Sequence, residues 1–137
     1  MATYHHGVSV LESDAGVRPI QDIATEVIGF AAHADDANAS AFPLDRPVLV
    51  LDPIAALSDA GVKGTLAKSL RAIGDQVTTP IVVVRVAEGT GSTAALKAEA
   101  LEKNLIGGST DGKYTGIKAL LAAQAELGVV PKILGVP

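Results

Sequence analysis

The 137-residue chain contains no cysteine, which removes disulfides, thiolate metal sites and cysteine nucleophiles together. Tryptophan is absent, and two tyrosines and two phenylalanines are poor material for stacking on bases or sugars. Charge is scarce, at 19% of residues against a typical ~25%. The eleven Lys and Arg are scattered and outnumbered by fifteen acids, so the net charge is −4 and no basic footprint points to nucleic acid. No uncharged apolar run approaches the ~20 residues of a membrane helix, and Arg85 interrupts the most apolar stretch, so membrane insertion is not expected. The opening "MATYHHGVSV" has no basic region followed by an apolar core and does not read as a signal peptide.

What the chain does have is apolar surface, 48% of its residues. With so few charges to cover it, part of that surface is expected to lie against other chains. The length has room for one ordinary domain, or for a small domain plus pieces that need a partner.

Residues 1–20 alternate briefly around Val8 and Val10 and then turn polar, so they read as an extended arm without a core of its own. "EVIGFAAHA" (26–34) fits a buried strand, and "DDANASAFPLDR" after it a loop. "PVLVLD" reads as a second strand, begun by Pro47 where a missing N–H is tolerated. In "DPIAALSDAG", Asp52 as N-cap, Pro53 at the first helical position and Gly61 past the end predict a short helix. Leu66, Leu70, Ile73 and Val77 recur at helical spacing, and Ile81 to Val86 form the clearest strand. Ala94 to Leu105 is weakly periodic, "NLIGGSTDGKYTG" breaks the pattern, Thr115 to Leu127 is helical again up to Gly128, and "KILGVP" is a last apolar run. This alternation predicts an α/β fold with parallel pairing. A strand at 132–136 normally feeds another helix, so the sequence reads as interrupted, or truncated, at Pro137.

Gly89, Gly91 and Ala94 in "GTGSTA" match the G-x-G-x-x-G/A form of a dinucleotide-binding turn, with Asp111 ~20 residues on, where a ribose-binding acid belongs. Against this, the strand before it is not the first, no clear second strand carries the acid, and Asp111 sits in a turn-like "TDG". No Walker-type phosphate loop occurs, and no serine sits in a G-x-S-x-G elbow. His5, His6 and His33, with Asp35 and Asp36, lack the spacing that gathers three metal ligands. No catalytic residue, cofactor or metal site is therefore assigned, and the chain is not read as an enzyme.

"YHHGVSVLE", "VRPI", "EVIGF", "FPLDRPVLV", "LAKSLRAIGDQ", "IVVVRVAEG", "IGGSTDGKYTGIKALLAAQ" and "PKILGVP", in that order, resemble the N-terminal portion of tail sheath proteins from contractile-tailed phages and related R-type pyocins. The likeness spans essentially the whole chain, with "HGVSV" and "DGKYTGIKALL…PKIL" its most specific parts. It implies an extended N-terminal arm (1–20), whose His6, Gly7, Val8, Ser9 and Val10 add as a strand to a neighbouring subunit's sheet. It further implies a small α/β outer domain (21–88), a connector (89–105) and, from 106 to 137, the beginning of a doubly wound, subtilisin-like core domain without protease activity.

The function implied is that of a structural subunit of the virion, assembled in the bacterial host cytoplasm into a helical homo-oligomer of stacked rings. Its partners would be the tail tube protein, the baseplate and the tail terminator, and contraction would drive the tube through the host envelope. Family subunits run to several hundred residues and carry a further C-terminal domain that faces the tube. Two other readings stay open at this point. One is a nucleotide-binding enzyme with a Rossmann-like turn at Gly89–Ala94, the other an interaction module that adds strands without forming a lattice.

Overall fold

A computed structural model describes residues 27–137. Its framework is a four-stranded sheet in the order β2-β3-β1-β6, where β1 is Ile28–His33, β2 Pro47–Val50, β3 Ile81–Val86 and β6 Ile133–Gly135. β1 pairs in parallel with both β3 and β6, and β2 closes one side antiparallel to β3. An antiparallel edge strand on a mainly parallel sheet suits Pro47, which has no N–H to give to a neighbour on its open side.

β3, "IVVVRV", is buried at every position, as a strand covered on both faces must be. Its odd and even residues feed two separate cores. On the first face Phe30, Ala32, Ile81 and Val83 meet Phe42, Leu66 and Leu70. On the second, Ala31, Val82, Val84 and Val86 meet Ala119, Leu120 and Ala123. Helix α1 (Leu66–Gly74) covers the first face through Leu66 and Leu70, both fully buried, and each contributes about 1.5–3 kcal/mol by leaving water. A 3-10 segment, Gly116–Ala122, runs into α3 (Ala123–Leu127) and covers the second.

Helix α2 (Ala94–Ile106) has Thr93 as N-cap, its hydroxyl accepting from Leu96 N–H, and no fully buried residue. It is followed by a hairpin, β4 (Ser109–Thr110) and β5 (Lys113–Tyr114). Helices therefore lie on both faces, and the fold is α/β. The sheet also crosses the boundaries expected at 88 and 105: β6 pairs with β1, and Ala119, Leu120 and Ala123 complete a core begun by Val82 and Val84.

Two local expectations differ from the structure. Asp52 does cap its turn, accepting from Ile54 N–H and Ala55 N–H, yet only a 3-10 turn at Ala55–Ser58 forms. The interval between Pro53 and the left-handed Gly61 is too short to repay nucleation of an α-helix. Residues 115–127 are mostly 3-10 rather than α. The turn-like "TDG" is the tip of a hairpin, in which Asp111 and Gly112 both take positive φ, as a two-residue turn of matching twist requires.

Candidate assembly surface

The glycine-rich turn is built for packing, not for a phosphate. After β3 the chain does not enter a helix directly but runs back along α2. Asn104, near the C-terminal end of α2, donates to Ala87 O at 3.1 Å and Glu88 O at 3.4 Å. Gly89 is buried against the middle of the helix, where an added Cβ would lie 1.9 Å from Lys97 O and 2.6 Å from Leu101 N. Gly91 lies against Leu96 in the first turn. The N-terminus of α2 is thus displaced from the end of β3 by most of a helix length, whereas a dinucleotide turn needs the two together. The backbone approach that glycine permits in that motif is here filled by the protein's own helix. Asp111, the candidate ribose acid, sits at the exposed tip of the hairpin beyond the other end of α2.

Of the candidate metal residues, His5 and His6 lie outside the described residues, and His33 and Asp36 are engaged with the Val62–Thr65 segment. His33 Nδ1 lies 3.4 Å from Thr65 Oγ1, and Asp36 accepts from Val62 N–H and Lys63 N–H at 3.0 and 2.9 Å. Those two amides hold the Asp36 carboxyl below its usual range. Among the described residues no group of three or more His, Asp or Glu is placed to hold a metal ion. Arg85, buried at the end of β3, donates through Nη1 to Ala34 O at 3.0 Å, ties down the loop that follows β1 and makes no ion pair among the described residues. No described helix is long and apolar enough to cross a membrane.

The conspicuous surface is apolar. Strand β6 exposes Ile133 and Leu134 by 54% and 60%, one on each face, and Val136 follows them. Beside it a groove of about 330 Å³ is lined by Ala98, Leu101, Leu105, Ile106, Ile117 and Val136, with Glu102 its one charged member. A second, larger groove of about 690 Å³ lies between the Leu44–Pro47 loop, the hairpin and α3, with Leu44, Tyr114 and Leu121 exposed along it. Near this groove two distant segments are joined: Asp45, itself at positive φ, accepts from Gly116 N–H at 2.9 Å.

No family model matches the chain. Individual proteins do. The tail sheath protein of Escherichia phage P2 is 49% identical over 138 residues, covering all of this chain and 35% of that protein. The major tail sheath protein of Serratia phage KSP20 is 48% identical over 136 residues, covering 98% of this chain and 34% of that protein. This chain is homologous to phage tail sheath proteins. It spans about a third of the length of the curated relatives it matches, in keeping with an N-terminal portion. Both relatives are named as tail sheath proteins.

For a sheath homologue, exposed apolar edges and grooves are the relevant sites. The arm residues singled out in the sequence, His6, Gly7, Val8, Ser9 and Val10, lie outside the described residues. The hairpin and its Tyr114 were not read from the sequence as a site, although the Asp-Gly pair is itself a hairpin signal. The bond from Gly116 to Asp45 joins residues 71 apart and leaves no local signal to find.

Proposed function

We propose that this chain is the N-terminal portion of a contractile tail sheath subunit, a component of the virion that polymerises around the tail tube and drives it through the host envelope. The observation that carries the reading is identity near one half to two tail sheath proteins over essentially the whole chain. In this reading residues 1–20 form the arm, and His6–Val10 add as a strand to a neighbouring subunit. Residues 21–88 would be the small α/β outer domain, 89–105 the connector, and 106–137 the beginning of the doubly wound, subtilisin-like core, its strand β6 continuing the sheet of β1, β2 and β3. Subunits assemble in the host cytoplasm on the tube protein, between baseplate and tail terminator.

The physics of such a device supports the proposal. One added strand gains a few main-chain hydrogen bonds, each worth only ~1 kcal/mol net, so a single arm is a weak link. Repeated through a lattice in which each subunit is held by several neighbours, weak links make a mesh that is durable and can still be reoriented. Contraction then needs no nucleotide, because the extended lattice is a metastable packing that relaxes when subunits repack. The test is electron microscopy of a subunit of the relatives' length, with and without residues 1–18. The intact protein is expected to form tubes and the shortened one to stay dispersed with its melting temperature nearly unchanged. Small discrete oligomers from the intact protein would favour an interaction module instead, and a large fall in melting temperature would place the arm in its own subunit's core.

A further inference from the structure

Helix α1 buries Leu66 and Leu70 against the sheet and turns Lys68 and Arg71, one turn apart, to the solvent. With Leu57, Gly61, Val62 and Ala67 these two cations line a shallow pocket of about 290 Å³ that contains no acid. Neither makes an ion pair among the described residues. Lys63, next to Val62, is by contrast faced by Asp36, and the Asp59 carboxyl is engaged by the Asn38 amide. The apolar lining thins the water beside Lys68 and Arg71, so a carboxylate placed there is screened less than on open surface.

The complementary charge is in the same chain. Residues 1–26 hold four acids, Glu12, Asp14, Asp22 and Glu26, against Arg18 alone, a net charge of −3, whereas residues 27–137 hold eleven acids and ten bases. Glu12 and Asp14 are two apart, so in an extended segment both point to one side with a repeat of about 6.5–7 Å. Helical neighbours three apart, as Lys68 and Arg71 are, have Cβ atoms about 5–6 Å apart. The two spacings match closely enough for both pairs to form together.

We infer that Glu12 and Asp14 seat on Lys68 and Arg71 of their own chain, a charge latch that ties the N-terminal segment to α1 and leaves residues 1–10 beyond it. Reach and concentration select the same chain over a second copy. The residues between Asp14 and Val27 span up to about 40 Å, more than the ~35 Å diameter of a domain this size. A group tethered in this way has an effective concentration of order millimolar, which a second copy at micromolar concentration does not match. Exposed ion pairs are individually weak, so the tether is what makes two of them sufficient. The latch does not depend on the sheath reading.

Carbodiimide coupling, which joins a lysine amine to a touching carboxylate with loss of water, tests the latch in the 137-residue chain. An equal mixture of unlabelled and isotope-labelled protein separates links within one chain from links between two. The expected product is an amide between Lys68 and Glu12 or Asp14 within single chains, its yield about tenfold lower in 1 M salt, where the Debye length is ~3 Å. The reversed pair, Glu12→Lys with Lys68→Glu, should restore a link between positions 12 and 68 that Glu12→Lys alone abolishes. The latch is overturned if Lys68 gives no such product, or reaches Glu12 and Asp14 no more often than the exposed Lys97 and Lys132 do. Links only between chains, which would point to a second copy, or a reversed pair that fails to join, overturn it equally. No step requires tubes, so the outcome stands apart from that of the microscopy.

Discussion

Gly116 carries more of the fold than its size suggests. It sits at positive φ where a Cβ would come within 2.5 Å of Asn104 O and 2.6 Å of Leu105 O, and its N–H is the one Asp45 accepts. Gly116→Ala therefore both strains the backbone and pushes the end of α2 away. A loss of about 2–4 kcal/mol in denaturant unfolding is expected, against about 1–2 kcal/mol for Gly112→Ala, which carries the same positive-φ strain but has nothing within 4 Å to push away. Asp36 acts through charge. Its carboxyl titrates below the unfolded value because Val62 N–H and Lys63 N–H favour the ionised form, so its contribution is present above ~pH 3.9 and is lost as pH falls through the folded value. The melting temperatures of the native chain and Asp36→Asn should differ at neutral pH and converge in acid. A gap that persists unchanged at low pH would contradict the charge account.

At the scale of elements, residues 87–93 and α2 form one unit. Because Gly89 and Gly91 lie against Lys97, Leu96 and Leu101, Gly91→Val should destabilise by about 1–3 kcal/mol through overpacking. Calorimetric titration of the native chain with NAD or ATP should give no heat of binding. Micromolar binding abolished by that substitution would revive the nucleotide reading. The elements that were legible in the sequence are those whose signal is local. β3 shows itself as six apolar or aliphatic-stemmed residues in a row, and α1 by Leu66 and Leu70 one turn apart. Val77 belongs to the same apparent period but lies beyond the end of α1 and is exposed, because the helix stops at Gly74. The glycine pattern misled for a physical reason: composition records that backbone comes close to something at Gly89 and Gly91, and only the fold shows that the something is α2.

For the molecule as a whole, the sequence carried the family through an ordered set of short fragments, while the sheet order and the open edge at β6 emerge only from long-range pairing. The low charge content has its explanation in this architecture. A chain that exposes Leu44, Leu121, Ile133 and Leu134 while carrying only 26 charged residues, eleven basic and fifteen acidic, is made to be covered. In the proposed reading part of that cover comes from neighbours in the lattice, reached through residues 1–20. The most direct test is a density map of tubes assembled by the subunit of full relative length. The account predicts that His6–Val10 trace into the sheet of an adjacent subunit. A trace that folds them back onto their own subunit, or a protein that yields no tubes at all, would contradict it.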